Sequence, residues 1–247
     1  MERVETEELM GESELPRLWN GYASAGYERA YRTPSTRRLK KTMGELFLEV
    51  GGGTVFDAGC GTGNLFGITT EKIQPKTIIA VDWSKKMLEK AKREATILQD
   101  RENISFEFHL TDLTKPSPLE DESVEAVISN LVICYLPGGW RNPLKELYRI
   151  LKPAGYLYLS TFLKEWDFKS AVRKFALKEF VRSPIATLYG IRFKNIAARI
   201  AKESKKRGAE YPDQILLIHF LEGLGFTEIK TIPIYWGFGL ALRARKS

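Results

Sequence analysis

Short apolar runs alternate along this chain with longer stretches of helical period. Val55 and Phe56 open a buried strand that stops at once on Gly59, Gly61 and Gly63. Residues 78–81 form a second apolar run ending in Asp82, and residues 104–110 alternate as a third strand. Residues 124–131 predict a fourth strand and residues 156–161 a fifth. Between them Met87, Leu88, Ala91 and Ala95 recur at helical spacing behind Ser84, which can cap the helix, and residues 144–151 predict another helix. Upstream, Leu39, Met43, Leu46, Phe47 and Val50 predict a helix that the glycines at 51–53 stop. Residues 213–224, ended by Gly225, predict a last helix. The strands expected at 227–234 and 236–245 are joined by a tight turn and so are antiparallel neighbours. Five βα units and a closing hairpin predict an α/β fold with a doubly wound, mostly parallel seven-stranded sheet whose last strand is antiparallel.

Three stretches fall outside that rhythm. Residues 1–14 are acidic and aperiodic, which predicts a frayed start. Trp19, Tyr22, Tyr27 and Tyr31 cluster ahead of the basic run Arg37, Arg38, Lys40 and Lys41. Residues 164–211 interrupt the chain between the fifth strand and the last helix. There Phe168, Ala171, Val172, Phe175, Ala176 and Phe180 share one helical face, with Lys169, Arg173, Lys174, Lys178 and Arg182 elsewhere on that helix. A second helix turns Tyr189, Phe193, Ile196, Ala197 and Ile200 inward, with Lys194, Arg199, Lys202, Lys205, Lys206 and Arg207 mostly outward.

Composition sharpens this picture. At 247 residues, 43% apolar and 28% charged, the chain fits one domain with an insertion and a sizeable core. Residues 164–207 hold thirteen Lys/Arg against Glu165, Asp167, Glu179 and Glu203, a net +9, so the rest of the chain supplies −2 of the total +7. No apolar run reaches the roughly 18 residues that span a bilayer. Glu2, Glu5, Glu7, Glu8, Glu12 and Glu14 give the N-terminus the wrong charge for a secretory or transit segment. Cys60 and Cys134 make neither a disulfide framework nor a metal site. A cytoplasmic enzyme without a metal is expected.

The chemistry concentrates at residues 54–65, Thr-Val-Phe-Asp-Ala-Gly-Cys-Gly-Thr-Gly-Asn-Leu. Glycines at alternate positions let the backbone turn tightly and approach a ligand, and the helix that follows presents unpaired N–H groups. Asp57 precedes the first glycine by two residues, and Asn64 stands where the dinucleotide fingerprint has its third glycine. A carboxylate here suits a ligand carrying an ammonium better than a pyrophosphate. Asp82 lies 23 residues beyond Gly59, the spacing at which a strand-end acid reaches ribose hydroxyls.

This stretch resembles the first motif of the class I S-adenosylmethionine-dependent methyltransferases, in the branch with quinone-ring and other small-molecule enzymes. Arg149-Ile-Leu-Lys-Pro-Ala-Gly155 is similar to that family's Arg-x-Leu-Lys-Pro-Gly-Gly turn, with Ala154 in place of one glycine. The resemblance covers residues 40–163 well and 212–247 in outline. It implies the Rossmann-like methyltransferase fold and S-adenosyl-L-methionine as cofactor. Asp57 then holds the methionine ammonium, and the backbone of Gly59, Cys60 and Gly61 lies against the methionine portion. Asp82 fixes the ribose, Trp83 and Met87 border the adenine, and Asp112 with the Leu113 N–H reads the adenine ring. Asn130 and Leu131 lie beside the reacting methyl. It further implies an N-terminal flap over residues 1–50 and a helical lid over 164–211, within a single domain spanning 1–247.

No general base stands out. His109 and His219 are expected to be structural, and tyrosines of the flap are equally placed to face an acceptor. Three functions stay open. The first is methylation of a small-molecule or lipid-like, anionic acceptor, with peripheral membrane contact through the basic helices. The second is RNA or protein methylation docked on the insertion, against which Asn-Leu-Val-Ile stands where an Asn-Pro-Pro-Tyr-like tetrapeptide would follow the fourth strand. The third is a nicotinamide-dependent oxidoreductase or a nucleotide binder, against which Asn64 and the closing hairpin speak. Neither the acceptor nor an oligomeric state is legible.

Overall fold

The computed structural model describes residues 14–24, 27, 33–164 and 184–247. Its strands are β1 (Thr54–Ala58), β2 (Thr77–Asp82), β3 (Ser105–Leu110), β4 (Val124–Asn130), β5 (Leu151–Phe162), β6 (Phe226–Ile234) and β7 (Gly239–Lys246). They pair in the order β3-β2-β1-β4-β5-β7-β6. The first five run parallel, and β7 inserts antiparallel between β5 and β6. The doubly wound sheet with an inserted antiparallel last strand is therefore present. The helices are α1 (Glu14–Ser24), α2 (Pro34–Leu46), α3 (Phe66–Ile73), α4 (Lys85–Glu102), α5 (Arg141–Ile150), α6 (Pro184–Lys206) and α7 (Gln214–Leu224).

The central strands read as unbroken apolar runs because helices cover both faces. On one face Phe56, Val127, Leu157 and Leu159 pack with Leu144 and Leu147 of α5 and Leu217 and Leu221 of α7. On the other, Val55, Ile78, Ile128 and Tyr158 pack with Leu39 and Met43 of α2 and Ala91 and Ala95 of α4. β3 alternates between exposed and half-buried residues, as an edge strand does. Helix α4 starts where Ser84 Oγ accepts the Met87 N–H, and Gly225 ends α7 in the left-handed region.

Several boundaries move. Helix α2 ends at Leu46, ahead of the glycines, because Phe47 turns extended and buries its ring against Tyr158. Residues 236–238 are not strand: Tyr235–Gly237 is a single 3₁₀ turn with Tyr235 and Trp236 at positive φ, and β7 begins at Gly239. Helix α5 begins at Arg141, three residues early, and β5 extends back to Leu151 across the Lys-Pro-Ala-Gly turn. Ala154 there sits at φ 62°, a conformation that favours glycine. The helix expected from Phe168 to Phe180 lies outside the described residues. Helix α6 packs on α1, and α1 also meets α4.

Candidate functional site

The carboxyl ends of β1, β2 and β4 surround a cavity of about 910 Å³, at the point where the strand order reverses. Its floor is the glycine turn. Gly59 (φ 80°) approaches Val132 so closely that a Cβ would stand 2.4 Å from a Val132 methyl, and Gly61 (φ 57°) is also left-handed. The Gly59 and Cys60 amides both donate to the Val81 carbonyl at 2.9 Å, folding the turn back over β2.

Asp82 sits in the cavity wall and organises that turn. Its Oδ2 accepts the Gly61 amide at 3.0 Å and its Oδ1 the Ser84 amide at 2.8 Å. Burial pushes its pKa up to about 6 against the pull of those N–H groups. Asp57 lies beside it at the end of β1, only 3% exposed and outside the cavity wall, with its pKa raised to about 7 by burial and then by the charge of Asp82. No lysine or arginine among the described residues offsets either carboxylate. A ligand bringing positive charge would supply what the protein withholds.

The structure brings Gly59, Gly61, Asp82, Trp83, Met87, Leu113, Asn130 and Leu131 to one cavity. It leaves three expected residues off the wall. Asp57 lies beneath the turn. Cys60 packs into the core, its thiol held well above the ordinary range by burial and donating to the Gly61 carbonyl within the turn at 3.6 Å. Asp112 Oδ1 accepts both the Thr114 amide, at 2.9 Å, and the Thr114 hydroxyl, at 2.7 Å, which makes this oxygen a turn cap. His109 and His219 are exposed and line nothing in this cavity.

The end of β4 is clamped by β5. Fully buried Ser160 donates its hydroxyl to Asn130 Oδ1 at 2.6 Å and accepts the Leu131 amide at 3.1 Å. Because that hydroxyl donates to it, the oxygen of the Asn130 amide is fixed toward Ser160, and its nitrogen is the donor end. Leu131 follows at φ 57°, a strained position of the kind that collects at sites.

Aromatic rings roof the cavity. Trp19 and Tyr22 of α1 and neighbouring Tyr27 meet Tyr135, Tyr211 and Tyr235 from the opposite side. The Trp19 and Tyr135 rings stand edge-on at 5.7 Å. Helix α1 is moored by Asn20, whose Oδ1 accepts the Ser84 hydroxyl at 2.8 Å and the Lys86 amide at 3.2 Å. Burial holds the Tyr135 hydroxyl well above its ordinary pKa and pushes Tyr211 up to about 12. These phenols are neutral donors.

Sequence reasoning missed Phe162, the last residue of β5, and Tyr135, Tyr211 and Tyr235, which come from connections with no periodicity to flag them. As expected from the sequence, Lys202, Lys205 and Lys206 are exposed, and they also edge the cavity beside Ala197, Ile200 and Ala201. Lys205 Nζ stands 5.0 Å from the Tyr211 ring centre, and Lys206 pairs with Glu203 at 3.1 Å. Among the described residues no ion pair engages Lys202. No cluster of metal-ligating side chains occurs among the described residues, and no described helix is long and apolar enough to cross a membrane.

Residues 56–159 match a family model described as a methyltransferase domain. The chain is 31% identical over 231 residues to the biotin biosynthesis bifunctional protein BioHC of Teredinibacter turnerae. That match covers 85% of this chain but 38% of that relative, so the chain spans well under half of its length. It is 27% identical over 216 residues to the malonyl-[acyl-carrier protein] O-methyltransferase of Serratia marcescens, covering 84% of this chain and 78% of the relative. Among solved structures, an S-adenosylmethionine-dependent methyltransferase of Thermotoga maritima, titled a possible histamine N-methyltransferase, superposes with a TM-score of 0.58. The two share 20% identity, over 94% of this chain and 99% of that one.

Proposed function

We propose that this chain, which belongs to the class I S-adenosylmethionine-dependent methyltransferases, methylates the carboxylate of an acceptor with an apolar body. The supporting observation is the composition of the cavity wall. It offers ammonium groups on Lys202, Lys205 and Lys206 and neutral phenols on Tyr135 and Tyr211, and among the described lining residues no histidine. The one carboxylate among the described lining residues, Asp82, is engaged with the glycine turn. Such a wall can bind an anion but is poorly equipped to take a proton from the acceptor. A carboxylate is already ionised near neutral pH and needs no base. Malonyl-[acyl-carrier protein], named for several relatives, is an acceptor of this class.

Bound S-adenosylmethionine supplies a methyl group already activated on a sulfonium. Asp57 and Asp82 provide negative charge where no lysine or arginine among the described residues offsets it, Gly59 and Gly61 allow close backbone approach, and Asn130 offers an oriented amide at the strand end. The rest is positioning and exclusion of water. Residues 1–50 then serve as a flap moored through Asn20, and residues 164–211 as a lid whose lysines draw the acceptor's charge inward. The nicotinamide reading falls with the inserted β7 and the family match.

Methyl-labelled cofactor incubated with lipid, small-molecule, RNA and protein fractions of cell extract tests this. The expected product carries label that mild alkali releases as volatile methanol, as a methyl ester does. Label that withstands alkali, or that enters RNA, would refute carboxylate methylation.

A further inference from the structure

Helix α1 caps the start of another helix. The first N–H groups of a helix have no partner within it. At α4 the Ser84 hydroxyl accepts the Met87 amide at 3.2 Å, while the Lys86 amide is taken from outside, by Asn20 Oδ1 at 3.2 Å. The same Asn20 oxygen accepts the Ser84 hydroxyl at 2.8 Å, so one carboxamide serves both the capping side chain and a backbone group beside it. Ser24, one turn along α1, donates to the Asn20 carbonyl at 3.0 Å and accepts Lys86 Nζ at 3.0 Å. Four residues apart, Asn20 and Ser24 share one face of α1, and that face meets the first turn of α4.

Trp19 and Tyr22 of the same helix line the cavity, whereas Asn20 lies outside its wall. Trp19 reaches Tyr135 edge-on at 5.7 Å, and Tyr135 ends the 3₁₀ turn that follows β4. Helix α4 follows β2. Helix α1 therefore bridges the cleft at the strand ends, held by hydrogen bonds on the β2 side and by ring contact on the β4 side. The anchor is continuous with the cavity floor, because Asp82 Oδ1 holds the Ser84 amide at 2.8 Å and its Oδ2 the Gly61 amide at 3.0 Å. Ser84 is fully buried, so its hydroxyl loses its acceptor when Asn20 withdraws. A buried donor left unpaired is costly, and lifting the roof carries that cost.

We propose that Asn20 is the latch of the roof, a positioning residue that acts through Trp19 and Tyr22. By holding them across the cavity it sets how often the roof opens, and so how fast the cofactor enters and S-adenosylhomocysteine leaves. This rests on the reading of α1 as a flap over a cofactor site and is independent of the acceptor's nature. A ligand that waits for an opening enters at its intrinsic rate scaled by the open fraction. Loosening the latch then speeds entry and exit together.

The test follows S-adenosylhomocysteine binding to the full chain by stopped-flow fluorescence, with Trp19 and Trp83 in the cavity wall as reporters. Asn20→Ala is expected to raise the association and dissociation rates alike, each by about tenfold, the size of a hydrogen bond or two. Asn20→Asp keeps an acceptor oxygen at a helix start, where negative charge is favourable, and should restore both rates. Lys86→Met removes only the exposed bond from Nζ to Ser24 and disturbs no buried group. It should raise both rates by about twofold and carries the test should Asn20→Ala fail to fold. A residue that merely shapes the fold would speed dissociation and leave association unchanged or slower, and that result in Asn20→Ala overturns the latch. Failure of Asn20→Asp to restore the rates overturns the role of the acceptor oxygen, and unchanged rates in Asn20→Ala and Lys86→Met overturn the gate itself. No acceptor or methyl transfer enters these measurements, so their failure is distinguishable from failure of the carboxylate reading.

Discussion

Asp82 accepts the Gly61 amide at 3.0 Å, so the end of β2 holds the glycine turn that leaves β1. The same carboxylate takes the Ser84 amide and starts α4. One side chain thus positions the floor and one wall of the cavity. Asp82→Ala should weaken S-adenosylmethionine binding by about 1–3 kcal/mol through lost partners. It should also speed amide exchange at Gly61 and Ser84 in the ligand-free protein. Unchanged exchange together with unchanged affinity would remove Asp82 from both roles.

Ala154 stands where the family's turn carries glycine, and it adopts φ 62°. A left-handed alanine is strained by about 1–2 kcal/mol, partly offset by the larger entropy a glycine loses on folding. Ala154→Gly is exposed and disturbs no packing. It should raise stability by about 0.5–1 kcal/mol in urea unfolding with an unchanged slope. A lower midpoint would mean that the turn tolerates alanine without strain.

Much of this was readable from the chain because backbone demands leave sequence marks. The glycines of the turn, the acid ending β2 and the closing hairpin each answer to a local rule, and the sheet order follows from them. The acceptor side answers to none. Tyr135, Tyr211 and Tyr235 reach the cavity from connections, and their convergence depends on where β4, α7 and β7 are brought by the sheet. Lys202, Lys205 and Lys206 are exposed, as the polar face of an amphipathic helix is expected to be. Here part of that face borders a cavity. Asp112 shows the opposite failure: its position in the chain fits the adenine-reading acid, yet its carboxylate Oδ1 caps Thr114.

The lysines give a kinetic prediction. If Lys202 and Lys205 attract an anionic acceptor, Lys202→Glu/Lys205→Glu should raise the acceptor's KM by about tenfold or more and leave the cofactor's Kd unchanged. The gap from the unaltered enzyme should narrow with added salt, since exposed charges are screened beyond about 8–10 Å at physiological ionic strength. A fall in kcat at constant KM, insensitive to salt, would instead mean that the helix had shifted.

Asp57 ties the site to pH. Its ordinary pKa is roughly 4, and in the folded protein burial and Asp82 raise it to about 7. Between those values the unfolded chain has lost the proton while the folded one keeps it. Stability of the ligand-free protein therefore falls as pH rises from about 4 to 7, by up to about 1.4 kcal/mol per pH unit from this group. Asp57→Asn carries no such charge, so it should flatten that slope and match or exceed the unaltered protein in stability at pH 8. Cofactor binding runs the other way. A ligand ammonium needs the carboxylate ionised, so affinity should climb as pH rises through 6 to 7, with proton release visible as a buffer-dependent binding enthalpy. Asp57→Asn should bind weakly and release fewer protons. Should it bind as tightly as the unaltered protein at pH 8, the charge of Asp57 does not face the cofactor and the carboxylate serves the fold alone.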